Sequence, residues 1–283
     1  MCASQAHKQQ SLQKCSQKGF TLLELIVVIV LLGIISVGTT GFIVNSVKGY
    51  TDMARRDGIA ATSRVAMDRM VRELRNALPN SPRVITDGGP WSGLCLEYIP
   101  ILDATSYLSI PIASSATSFS IIPFTEAPEL GKAAIYPINT DAVYQTGSPA
   151  VISPDISSSA DSLVGSGATT LELSSAHQYP EESPAKRMFI VDGPVSFCLV
   201  GDRLYRYSHY DRTATQPTPD TLPALPGTEP NRALLAYPLT GTQPFTIENA
   251  TLQRNALVIL QFSVEQGSEK LLIQQEVHTR NAP

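Results

Sequence analysis

Three sets of residues are of types that could do chemistry: scattered histidines and aspartates, four cysteines, and one glutamate inside an apolar run. His177, His209 and His278 lie far apart, and Asp192, Asp202 and Asp211 are too widely spaced for a local metal loop. The histidines read as structural or surface residues, the aspartates as turn residues. The sequence has no G-x-S-x-G elbow, H-E-x-x-H helix, Walker loop, EF-hand or paired cysteines at zinc spacing. No catalytic residue, metal or cofactor is therefore expected, and the chain reads as a protein that is not an enzyme.

The glutamate is a different case. In "QKGFTLLELIVVIVLLGIISVG", Glu24 is the only charged residue among the 18 from Phe20 to Val37, a run of the length that spans a membrane as one helix. A carboxylate at such a place costs roughly 2.5–3.5 kcal/mol on insertion scales, so by default it marks function. Lys8, Lys14 and Lys18 precede the run with no acidic residue, which predicts a cytoplasmic N-terminus and an outward-facing remainder.

Beyond the run the charge reverses. The whole chain carries −4, but residues 80–283, with 11 basic and 20 acidic residues, carry −9. So acidic a region gives no reason to expect nucleic acid as a partner. Of the cysteines, Cys2 and Cys15 precede the run, while Cys95 and Cys198 follow it. If the later pair lies outside the inner membrane, the compartment permits a disulfide between them, two free buried thiols being the alternative. Closing a loop of about 100 residues would contribute up to ~4.7 kcal/mol in chain-entropy terms.

These residues must be carried by recognisable elements. All 21 prolines lie at or after Pro79, which leaves an uninterrupted candidate helix from about Phe20 to Leu78. At 1.5 Å per residue it would be on the order of 90 Å long. In its second part Ile59, Met67, Met70, Val71, Leu74 and Leu78 recur at three- and four-residue spacing, with Arg64, Asp68, Arg72 and Arg75 on the other side. Between the parts, Gly33, Gly38 and Gly41 mark either a segment prone to bend or a surface for close helix packing.

After Pro79 the pattern is that of strands. "MFIVDGPVSFCLVGDRLYRYSHY" and "ALVILQFSVEQGSEKLLIQQEVHT" each place apolar runs around a turn signature, Gly201-Asp202 and Gly267-Ser268, and predict hairpins. "GLCLEYIPI", "SFSIIPF" and "TTLELSS" predict shorter strands. "TGSPAVISPDISSSADSLVGSGATT" and "DRTATQPTPDTLPALPGTEPNR" read as long surface loops.

The order of these features carries a resemblance. A short basic leader ending in Lys18-Gly19, then Phe20-Thr21-Leu22-Leu23-Glu24 and an apolar run, resembles the N-terminus of type IV pilins and secretion pseudopilins. A secretory signal peptide is cut after its apolar region, whereas this family is cut before it. The resemblance implies that prepilin peptidase cuts between Gly19 and Phe20, that the new amine of Phe20 is N-methylated, and that the leader is lost. It also implies that Glu24 pairs with the N-terminal amine of a neighbouring subunit during assembly. Two opposite charges held together in low dielectric cost less than either alone.

The implied fold is α+β, a long N-terminal helix packed on a large antiparallel β-sheet head. It divides into leader 1–19, transmembrane or filament-core helix 20–37, amphipathic continuation 38–79, and head 80–283. Many major pilins have a kinking proline where this chain has Gly41, so a bend here would come from Gly38 and Gly41. Implied partners are prepilin peptidase, other major and minor pilins, the inner-membrane assembly platform, and membrane lipid before assembly. The head would face the periplasm and later the cell surface.

Cleavage would leave 264 residues, longer than most major pilins, which suggests a minor subunit. "RELRNALPNS" and the ending "RNAP" are similar to minor pilin-like proteins of the mannose-sensitive haemagglutinin pilus system. A type II secretion pseudopilin of the J type is the nearest rival. A tip adhesin and a membrane-anchored periplasmic enzyme are rivals from other classes. Trp91, beside a Gly-Gly-Pro turn, could serve an adhesin but reads better as a packing residue.

Overall fold

The computed structural model describes residues 19–222, 232–248, 256–266 and 269–279. The expected leader up to Lys18, the Gly267-Ser268 turn, residues 223–231 of the proline-rich stretch and the terminal "RNAP" lie outside the described residues. The chain divides into two units, Met1–Arg55 and Arg56–Pro283.

Helix α1 (Leu22–Arg75) runs through that boundary. It begins where Thr21 supplies a cap: its hydroxyl accepts the Glu24 N–H at 3.2 Å. Among the described residues it is the one helix long and apolar enough to cross a membrane. The hydroxyls of Ser36, Thr39 and Thr40 each donate to the carbonyl four residues back at 2.7 Å. These polar groups are thus satisfied within the helix itself, as lipid would require. The helix is continuous through Gly33, Gly38 and Gly41.

In the second unit the amphipathic pattern becomes packing. Ala66, Met67, Met70, Val71 and Leu74 are buried, and Leu74 and Met70 are wholly so. They meet Leu96, Phe197, Leu204, Val258, Leu260 and Phe262 in one core. The helix stops at Arg75, three residues short of the sequence expectation. There the backbone turns to strand pairing: the Ile101 N–H donates to the Asn76 carbonyl, and the Leu78 N–H to Ile99. Leu78 belongs to a neighbouring core with Ile99, Val143 and Tyr144.

The head is antiparallel in three sheets, and with the helix it forms the expected α+β, pilin-like arrangement. One sheet orders β1 (Arg83–Val84), β2 (Cys95–Tyr98), β9 (Val195–Val200), β10 (Arg203–Tyr207) and β11 (Arg232–Ala236). A second joins β12 (Phe245–Glu248), β13 (Leu257–Gln266) and β14 (Glu269–His278). The β9–β10 hairpin turns at Gly201, whose φ of 63° glycine adopts freely. Strands β13 and β14 pair over their full length, from Leu257↔His278 to Gln266↔Glu269.

The third sheet was only partly legible. It orders β6 (Ile152–Asp155), β5 (Lys132–Ile135), β8 (Arg187–Val191), β3 (Ile101–Ser109), β4 (Ala116–Ile121) and β7 (Thr169–His177). Its two outer strands meet through an antiparallel bridge, Ile156↔Leu173, and the Ser157 N–H donates to the Glu172 carbonyl at 2.9 Å. The six strands therefore close on themselves around Tyr107, Phe119, Ile121, Leu171, Tyr179, Met188 and Ile190.

Two expectations are corrected here. "TGSPAVISPDISSSADSLVGSGATT" is not one surface loop: it holds β6 and a short 3-10 helix (Ala160–Leu163), with Val151, Ile152, Ile156 and Leu163 buried. And the run before Gly201 is two strands, not one. Gly193 and Pro194 divide it into β8 of the closed sheet and β9 of the five-stranded sheet, since proline has no N–H for a ladder.

Candidate assembly site and clefts of the head

Phe20 and Glu24 lie at the exposed start of α1, with Phe20 82% exposed. Thr21-Leu22-Leu23-Glu24 has the T-x-x-E spacing of a capping box, and Thr21 makes its half of the box. That cap was readable in the sequence and was missed. Among the described residues nothing pairs with the Glu24 carboxylate. Its place in the first helical turn is favourable, because the helix dipole offers partial positive charge there. A side chain added at Gly19, Gly33, Gly38 or Gly41 would meet no atom within 4 Å. The packing of this chain on itself gives no reason for glycine at these positions.

Cys95 and Cys198 are joined in a disulfide across directly opposed positions of β2 and β9. Both are fully buried, beneath a strap formed by residues 210–222. Leu222 of the strap packs in the same core, and the Gln216 amide donates to the Cys95 carbonyl at 3.2 Å. Trp91 packs beside the disulfide and donates its indole N–H to Asp220 at 2.7 Å.

The strap is anchored by a group that the sequence did not reveal. Arg83 pairs with the buried Glu97 at 2.5 Å, lies 3.4 Å from the Tyr144 ring centroid, and donates to the Thr213 and Ala214 carbonyls. Tyr210 donates to Glu97 at 3.0 Å. Burial pushes the Glu97 carboxyl above the usual range, outweighing Arg83 and Tyr210. Glu73 of α1 is the opposite case. Burial pushes it up, but hydrogen bonds from Tyr98, Arg69 and Arg206 outweigh that and hold it below the usual range. Glu73 ties the helix to β2 and β10.

The remaining candidates do not converge. His278 is exposed on β14, and Asp202 sits in the β9–β10 turn. Asp192 accepts the Gly193 N–H at 2.7 Å, as a turn residue does. His209, Asp192 and Asp211 line a cleft of about 610 Å³, yet among the described residues no cluster could hold a metal ion. His177 is fully buried; one ring nitrogen, Nε2, lies 2.9 Å from the Ala150 carbonyl, and the other has no hydrogen-bond partner.

With this geometry in hand, comparison with known proteins adds one finding. Residues 14–40 match the family described as the prokaryotic N-terminal methylation motif. The match spans the Gly19–Phe20 junction, Glu24 and the whole apolar run to Val37, and it supports a type IV pilin-like family. The motif and the apolar helix together fit a membrane-anchored pilin, processed by prepilin peptidase and assembled with other pilins. No curated protein and no solved structure matches the chain.

Proposed function

We propose that this chain is a minor pilin-like structural subunit acting in the assembly or initiation of a type IV pilus, by helix packing and subunit contacts, without catalysis. The observation that carries this reading is the coincidence of the methylation motif with an apolar run, Phe20–Val37, whose only charge, Glu24, has no partner among the described residues. Cleavage between Gly19 and Phe20 would create an amine a few residues from that carboxylate. In a bundle of such helices the amine of one subunit neutralises Glu24 of the next, which favours one axial register. Gly33, Gly38 and Gly41, whose Cα atoms face open space in the single chain, would let neighbouring helices approach closely.

The finer assignment, a subunit of a mannose-sensitive haemagglutinin pilus system, is supported by "RELRNALPNS" and the "RNAP" ending alone. A J-type secretion pseudopilin would share every feature of the helix and differ in the machine it serves.

The test is a mass spectrum of the N-terminus of the full-length protein, made with and without prepilin peptidase. A peptidase-dependent start at Phe20 with one added methyl is expected; an intact leader, or a cut after the apolar run, would overturn the reading. Glu24→Gln keeps the capping-box chemistry and removes the charge, whereas Glu24→Val removes both. Both should insert in the membrane, and neither should enter pili. Normal incorporation of Glu24→Gln would show that pairing with the amine is not what Glu24 does.

A further inference from the structure

Charge is unevenly spread over the second unit. Residues 99–194, which form the closed sheet, hold ten acidic and three basic residues and so carry −7 of the −9 of residues 80–283. Part of that excess is gathered at one end of the sheet. Phe124 bridges Val164, and the Ile156 N–H donates to the Gly131 carbonyl at 2.8 Å, so the β4–β5 loop lies beside the chain between β6 and β7. The Ser157 N–H to Glu172 carbonyl bond brings the start of β7 to the same place.

This end presents Glu126, Glu129, Asp161 and Glu172, all exposed, and residues 122–131 and 156–172 include no lysine or arginine. Among the described residues none of these four carboxylates has an ion-pair partner, and Lys132, just past the loop, is taken by Asp155. Ile122, Leu130 and Val164 are exposed on the same two segments. Apolar side chains set among unpaired charges of one sign have the make-up of a contact surface.

The complement is on α1. Val65, Arg69 and Arg72 stand at i, i+4 and i+7 and share one helix face, with Arg64 and Arg75 at its margin. Val65 is 68% exposed. Arg206 of β10 adjoins this face through Glu73. Two carboxylates lie among the five arginines, Asp68 and Glu73, which leaves a surplus of three positive charges. Glu73 is already shared by Arg69 and Arg206. Arg72 donates only to the Asp68 backbone carbonyl, and among the described residues Arg64 and Arg75 have no carboxylate partner.

No ion pair joins the two patches within the chain, among the described residues. Opposite patches on different elements of one chain make a heterologous pair, in which a copy offers its arginines to one neighbour and its carboxylates to another. We propose that the arginine face of α1 in one copy docks on the acidic end of the closed sheet in a second copy, with Val65 against the exposed apolar residues of that end. Both patches belong to the second unit and use neither the amine of Phe20 nor Glu24, so failure of this contact would leave the assembly reading standing.

The experiment is sedimentation equilibrium of the uncleaved full-length protein in a neutral detergent. The wild type should self-associate, with a dissociation constant that rises on the order of tenfold between about 50 and about 300 mM salt, because exposed charge pairs are screened. Arg64→Glu with Arg72→Glu cancels the surplus on the helix, and Glu126→Lys with Glu129→Lys cancels it on the sheet, all at exposed positions. Each double variant alone should associate on the order of tenfold more weakly than the wild type, or not at all. Mixed one to one, they should form pairs of wild-type strength, the intact acidic end of one on the intact arginine face of the other, which also shows that both are folded. A monomeric wild type would hand both patches to other proteins and overturn the proposal. Association that ignores salt and both variants would belong to the apolar helices and overturn it too, as would a mixture no stronger than its parts.

Discussion

At the scale of residues, Glu73 and Glu97 show how the same side chain is pulled in opposite directions. Glu73 has a lowered folded-state pKa, so between that value and the ordinary glutamate value the unfolded chain binds more protons, and stability falls as pH falls. Glu97 is raised, so in its window, above the ordinary value, stability falls as pH rises until it ionises within the fold. Glu73→Gln should therefore flatten the acid limb of stability against pH, measured by urea unfolding of the full-length protein in detergent. An unchanged acid limb would mean that Glu73 does not carry it. Glu24 stood out in the sequence because it is the one charge in an apolar run. Glu73 did not, because its partners Tyr98 and Arg206 lie 25 and 133 residues away and only the tertiary fold brings them together.

At the scale of elements, periodicity and punctuation did most of the work. The helix was legible from proline exclusion and apolar spacing, and the β9–β10 hairpin from Gly201-Asp202. Strand β6 was not, because only three consecutive apolar residues, Ala150, Val151 and Ile152, lead into it, and the serine, glycine and proline around them imitate a loop. The closed sheet also depends on backbones approaching closely where no side chain can intervene. At Gly131, just before β5, an added Cβ would lie 2.2 Å from the Val191 carbonyl oxygen of β8, a contact with backbone that cannot swing aside. Gly131→Ala should destabilise the protein by about 1–3 kcal/mol, the usual cost of overpacking, or more if the β5–β8 ladder parts. Chemical denaturation of the two proteins side by side would measure it. Equal stability would show that β5 and β8 are free to separate there.

At the scale of the whole molecule, the disulfide and its cover act as one device. The bond spans 103 residues, a loop whose closure contributes up to about 4.7 kcal/mol in the chain-entropy account. Because both sulfurs lie beneath the strap, a mild reductant should leave the native protein unchanged in intact mass. The same reductant in urea should add two hydrogens and expose two alkylatable thiols. Rapid reduction without urea would show that the strap does not shield the bond.

That bond also marks a boundary. Strands β2 and β9 are immediate neighbours, yet all six strands of the closed sheet lie between them in sequence, entering after Tyr98 and leaving before Val195. In wiring terms the closed sheet is the overgrown loop of an ordinary hairpin, with a covalent rivet across its stem. A tight turn could stand in its place without undoing one strand pairing of the five-stranded sheet, and a different insert could be grafted onto the same stem. The stem and the helix it carries could thus stay constant while the insert diverges.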